Sequence, residues 1–132
     1  MKSYLIDTHV LLWYLFEPNK LSEEVSYIVQ NESNVYVSLA SFWEISIKFG
    51  LGKLDLKTLF PNDLPEACLK YNIKILPISV NEVTTYHQIK TVYHKDPFDR
   101  ILIWQAIKNN FIFISNDVNM NPYRMEGLRL LW

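Results

Sequence analysis

Short apolar runs alternate with amphipathic stretches along the chain, and that alternation predicts most of its elements. Tyr4-Leu5-Ile6 reads as a buried strand that stops at Asp7. From about His9 to Phe16, Val10, Leu11, Tyr14 and Leu15 recur at helical spacing, with Thr8 as the expected cap. Pro18 and Asn19 end that helix. Ser22, followed by Glu23 and Glu24, opens a second helix to about Gln30, and Val25, Ile28 and Val29 form its apolar stripe. After the polar turn Asn31 to Asn34, the β-branched and aromatic Val35-Tyr36-Val37 predicts a second strand.

The next helix, about Leu39 to Phe49, is capped by Ser38 or Ser41 and is apolar nearly all round, with Glu44 in its middle. Such a pattern predicts a helix buried on every side. Gly50 and Gly52 stop it. A helix is expected over Pro61 to Tyr71, a third strand over Ile73 to Leu76, and a helix from Ser79 or Asn81 to about Thr91. Asp96-Pro97 is a clear start signal, since Asp suits the cap and Pro the first helical position. That helix runs through Phe98, Ile101, Leu102 and Ala106 to about Asn109. Phe111 to Ile114 is the fourth strand and Leu128 to Leu131 a short last one. Strands alternating with helices predict an α/β fold, a mostly parallel sheet with helices on both faces. Without repeats, low-complexity runs or linkers, residues 1–132 are expected to form one domain.

Composition narrows the function classes. Hydrophobic residues make up 49% and aromatics 14%, which excludes a disordered chain. Charged residues are 20% and the net charge is -1, so no basic coat for nucleic acid exists. Contact with a polyanion therefore requires a local patch or bridging metal ions. With 3 Gly, few positive-φ turns and no glycine-rich phosphate loop are expected. The lone Cys68 excludes an internal disulfide and a cysteine zinc site, and reads as a small buried residue. The chain lacks the roughly 18-residue apolar run of a membrane span. Asp7 comes too early for a signal peptide, so a soluble cytoplasmic protein is expected. His9, His87 and His94 show no zinc-ligand spacing. No Gly-x-Ser-x-Gly elbow, Walker loop or dinucleotide fingerprint occurs.

Ligands of such a sheet bind beyond the carboxyl ends of its strands, and acids gather there. Asp7 follows the first strand, Glu44 lies in the helix after the second, Asp96 and Asp99 open the helix before the fourth, and Asp117 follows the fourth. Each has a plainer role. Asp7 and Asp96 can cap helices, Glu44 can pair with Lys48, Asp99 can sit in a first turn, and Asp117 can belong to a turn. Taken together, convergent carboxylates repel one another and call for a neutralising cation. Mg²⁺ or Mn²⁺, which take oxygen shells and bind phosphate, suit that need. Arg100 and Lys48 are candidates to meet phosphate, or else form surface ion pairs.

Four blocks then carry a family likeness. Asp7-Thr8-His9-Val10-Leu11-Leu12-Trp13 resembles the opening of PIN-domain proteins. Ser38 to Lys48 with Leu51-Gly52-Lys53-Leu54 is similar to their second block, His94 to Ile103 to their third, and Ser115-Asn116-Asp117 to their fourth. The likeness spans the chain and points to the VapC-like toxins of type II toxin–antitoxin systems. It implies a PIN-like three-layer α/β/α sandwich and a Mg²⁺- or Mn²⁺-dependent ribonuclease. It carries metal-binding and catalytic roles to Asp7, Glu44, Asp99 and Asp117, with Asp96 a cap or a support. It also implies an RNA substrate, dimerisation, and inhibition by a small antitoxin whose tail fills the acidic groove. Two departures are visible: Ser115 stands where the fourth block often has Thr, and the usual phenylalanine near Met120 is missing.

Two other readings compete. A receiver-type switch would also gather acids around Mg²⁺, but needs a phosphoacceptor Asp on a central strand and a Lys beyond a later one. A catalytically quiet binding module would use Trp13, Trp43, Trp104 and Trp132 at interfaces rather than in the core.

Overall fold

The computed structural model describes residues 1–132. Five strands, β1 Tyr4–Ile6, β2 Val35–Ser38, β3 Lys74–Leu76, β4 Ile112–Ile114 and β5 Arg129–Leu131, form one sheet. Its order is β3-β2-β1-β4-β5 and every pairing is parallel. The chain winds outward from β1 to β3, then returns past β1 to lay down β4 and β5. The direction reverses between β1 and β4, and their carboxyl ends flank a crevice. A receiver-type sheet runs 2-1-3-4-5, with its first strand off centre. The observed order therefore sets that reading aside.

Period-two alternation sorts the strand residues between two cores. Tyr4, Ile6, Val35, Val37 and Ile114 point to one face. There they pack on α1 (Thr8–Phe16), α2 (Glu23–Asn31) and α4 (Leu64–Lys70). Leu5 and Phe113 point to the other face, under α6 (Pro97–Lys108). The fully buried Met120 and Tyr123 complete that second core from a 3₁₀ segment, Val118–Glu126. Cys68 is buried, as its setting predicted. No helix is long and apolar enough to cross a membrane.

Local chemistry explains most boundaries. Asp7, not Thr8, caps α1, by accepting from the Thr8 N–H. Ser22 caps α2, Ser38 caps α3 (Leu39–Gly50), and Ser79 caps α5 (Val80–Thr85) in a capping box with Glu82. The helix expected to reach Thr91 stops at Thr85 and continues only as a 3₁₀ turn, Tyr86–Gln88. Scarce glycine did not make positive φ scarce, because Lys57, Asn72 and Asn110 adopt it beside Gly52 and Gly127. Asn72 and Asn110 do so between a helix and the strand that follows.

One expectation fails clearly. Helix α3 is not buried all round: Leu39, Trp43 and Ile47 are 49%, 62% and 40% exposed. They recur every fourth residue and form an apolar stripe in solvent. The buried side carries Ala40, Ser41, Glu44 and Ile45. Apolar periodicity could not tell these sides apart, because apolar residues stand on both.

Leu5→Ala, on the central strand, is expected to cost about 2–5 kcal/mol, because the cavity is sealed by both neighbouring strands. Leu69→Ala, at a 67% exposed position, should stay within about 0.5 kcal/mol of the parent. Urea unfolding of both variants checks the assignment.

Candidate active site

Asp7 ends β1, and its backbone N–H still donates to Ile114 O of β4, at 2.9 Å. The residue is buried to 3% exposure. Oδ1 accepts from the Thr8 N–H and Oδ2 from the Ser115 hydroxyl, each at 2.8 Å. His9 Nδ1 lies 3.5 Å from Oδ2. Burial pushes the Asp7 carboxyl above its ordinary range, helped by the Glu44 charge and opposed by His9, Ser115 and Thr8.

Glu44 approaches from α3. The Thr8 hydroxyl donates to Ser41 Oγ at 2.8 Å, which ties α1 to α3 one turn from the acid. Glu44 is 5% exposed, Oε2 holds Lys48 Nζ at 2.6 Å, and no protein donor reaches the buried Oε1. Glu44 is thus buried in the crevice and paired with Lys48, and that pair does not lie on a solvated helix face.

Asp99 comes from the first turn of α6. Asp96 caps that helix, its Oδ1 accepting from the Phe98 and Asp99 N–H groups at 2.7 and 3.4 Å. The register of α6 is held deeper down. The Ser38 hydroxyl donates to Gln105 Oε1 at 2.5 Å, and Gln105 Nε2 donates to Pro77 O and Glu82 Oε1. Burial, then the charges of Asp7, Asp96 and Glu44, push Asp99 up to about 6, against the pull of His94.

Asp7, Glu44, Lys48, Asp96 and Asp99 thus line one pocket of about 270 Å³. Asp117 does not. It lines the adjoining hollow with Asn121, Arg124 and Trp132. Its Oδ1 accepts from the Asn119 N–H at 2.9 Å and its Oδ2 meets His94 Nε2 at 2.8 Å. Burial raises this carboxyl, but the His94 bond, the Asn119 N–H and the charges of His94 and His9 outweigh it and leave it low. The two hollows are joined by Ser115, whose Oγ donates to Asp7 and accepts from the Asp117 N–H at 3.2 Å. Met120 fills the core below this loop, where the family's phenylalanine is missing.

Sequence reasoning gave little weight to His94, and the structure makes it central to Asp117. Arg100 holds its segment by donating to the carbonyls of Ile89, Thr91 and His94. Glu126 accepts from the Lys90 and Thr91 N–H groups, both at 2.8 Å. The Tyr123 hydroxyl accepts from the His94 N–H at 2.9 Å and lies 3.2 Å from His94 Nδ1. Arg100 is thus neither a surface ion pair nor a group free for phosphate. Trp104 is buried, while Trp43 and Trp132 are exposed.

No three acidic, histidine or cysteine side chains converge closely enough to make a ready-made metal shell. The donors nonetheless suit a hard divalent cation. They are carboxylate oxygens, one of them buried without a protein partner, and burial together with their mutual repulsion lifts Asp99 toward neutrality.

A parallel sheet with β1 at its centre and an acidic pocket at its switch point defines an α/β protein whose ligand crevice lies at the carboxyl ends of its central strands. The PIN domain pattern matches residues 4–124, and the chain belongs to the PIN-domain family. Ribonuclease VapC22 of Mycobacterium tuberculosis is 22% identical over 132 residues, covering all of both chains. DNA-bound VapBC from Salmonella typhimurium superposes with a TM-score of 0.70 at 17% identity, over 99% of this chain and 98% of that one. VapBC2 from Rickettsia felis, bound to a promoter DNA fragment, gives 0.68 at 17% identity, over 97% and 96%. These likenesses show the fold.

The Asp99 carboxyl binds its proton more tightly folded than at its ordinary value of 3.8. Its stabilising effect is full below about pH 4 and is lost as pH rises through about 6. Asp99→Asn should therefore stabilise the metal-free protein near pH 7.5 and change it little near pH 4. Thermal unfolding in a chelator at both pH values measures the difference.

Proposed function

We propose that this chain is a metal-dependent endoribonuclease, the toxin of a type II toxin–antitoxin pair, and that it hydrolyses RNA phosphodiester bonds. The observation that carries the reading is the meeting of Asp7, Glu44 and Asp99, from three separate elements, in one pocket at the sheet's switch point. Residues 1–132 act as one domain in this reading.

Asp7, Glu44 and Asp99 would hold Mg²⁺ or Mn²⁺. Asp117 would join them from the adjoining hollow, through the Ser115 bridge. When bound, the cation neutralises the phosphodiester and lowers the pKa of an attacking water. The chain's own groups do the positioning. Thr8 and Ser115 fix both oxygens of Asp7, so that carboxylate cannot rotate away. Glu44 Oε1 is free to accept a hydrogen bond from water. In-line attack on phosphorus forms one P–O bond, breaks the bond to the leaving oxygen, and sends a proton to that oxygen. His94 keeps Asp117 ionised and aimed.

Partners follow from the relatives' own descriptions. A ribonuclease and two VapBC assemblies among the similar proteins support an RNA substrate and a small antitoxin as partner. A homodimer and a cytoplasmic setting complete the reading.

Asp7→Asn retains an oxygen for the Thr8 N–H cap but loses the charge. It should lower RNA cleavage in Mg²⁺ or Mn²⁺ by about 100-fold or more. Equal cleavage by parent and variant removes Asp7 from the chemistry. Divalent-cation binding without cleavage of any RNA favours the quiet binding module.

A further inference from the structure

Lys48 lies one turn beyond Glu44 on α3, and its ammonium reaches Glu44 Oε2 at 2.6 Å. This differs from an ordinary i,i+4 pair on a wet helix face, which contributes only a few tenths of a kcal/mol. The Glu44 side chain is 7% exposed, whereas the Lys48 side chain is 45% exposed. One partner is locked inside and the other reaches in from solvent. A buried carboxylate stripped of its partner is heavily penalised, so the ammonium is held where Glu44 needs it.

Lys48 also lines the acidic pocket itself. Its other neighbours there include Asp7, Asp96 and Asp99, and the only further basic side chain in the lining is His9. The bond to Glu44 raises the Lys48 pKa, burial opposes it, and the charges of Glu44, Asp96 and Asp99 add to it. The ammonium is thus a positive charge set among carboxylates.

A divalent cation in this pocket needs the same Glu44 carboxylate, and two positive groups crowded on one carboxylate repel. We propose that Lys48 is a built-in competitor for the cation site: its ammonium neutralises Glu44 while the pocket holds no divalent ion, and it must withdraw before one binds tightly. The long, half-exposed side chain can swing toward solvent, and the incoming cation then replaces the charge that Glu44 loses. The inference rests on the metal-binding reading of the pocket, and assigns a residue that sets how tightly this chain takes its ion.

Titration calorimetry of the full chain with Mn²⁺, without RNA, tests it. Lys48→Gln should bind Mn²⁺ about tenfold tighter than the parent, because one positive charge leaves the immediate surroundings of the ion. Lys48→Arg keeps the charge and should bind like the parent. Lys70→Gln, an exposed position at the end of α4, controls for net charge and should also match the parent. Unchanged or weaker Mn²⁺ binding by Lys48→Gln, with a parent that binds, overturns the competitor role and leaves the metal reading standing. Failure of every protein to bind Mn²⁺ overturns both. Circular dichroism of each variant confirms that the comparison is between folded chains.

Discussion

The buried carboxylate of Asp7 joins the sheet to the pocket. Its backbone continues the β1–β4 ladder, one side-chain oxygen caps α1, and the other takes the Ser115 hydroxyl from the end of β4. An ionised group in that setting is tolerable only when donors surround it. The surrounding donors are the Thr8 N–H from the first turn of α1 and the Ser115 hydroxyl just beyond β4. A fold that satisfies Asp7 has thus already aligned β1, β4 and α1. Glu44 and Asp99 are then added from α3 and α6, against their own repulsion. Apolar burial on both faces of the sheet supplies the free energy that holds them there.

Two kinds of signal were legible in the sequence. Strands and helix starts were, because alternation and caps are local: Ser22, Asp96-Pro97 and the Tyr4-Leu5-Ile6 run all mark real boundaries. The joint placement of acids at strand ends was legible too, and the structure gathers Asp7, Glu44, Asp96 and Asp99 in one pocket. Which side of α3 faces water was not, since that depends on what packs against it. Nor was the end of α5, where the capping box starts a helix that tertiary contacts do not extend.

The least legible feature was the hydrogen-bonded scaffold behind the site. His94, Arg100, Gln105 and Tyr123 have no periodic or spacing signature; His94, Gln105 and Tyr123 act through partners distant in sequence, and Arg100 through carbonyls of the irregular segment before it. Arg100 reads from the sequence as a phosphate contact or a surface ion pair, because Asp99 stands beside it. In the fold it organises carbonyls of an irregular segment instead. Asp117 was read as an equal of the other acids, yet its two oxygens are engaged by Asn119 and His94 in a neighbouring hollow. A carboxylate's availability depends on who else holds it, and a spacing pattern cannot register that.

The Ser115–Asp7 bond links residues 108 positions apart, and β4, which Ser115 directly follows, pairs with β1. Chains are synthesised from the N-terminus, and pairing over such separations is slow. A nascent polypeptide can make α1, α2 and β2 early, but Asp7 Oδ2 has only water for a partner until residue 115 has left the ribosome. The link from Asp7 to the end of β4 is therefore made late, and a half-made copy carries its acids without the pocket that gathers them.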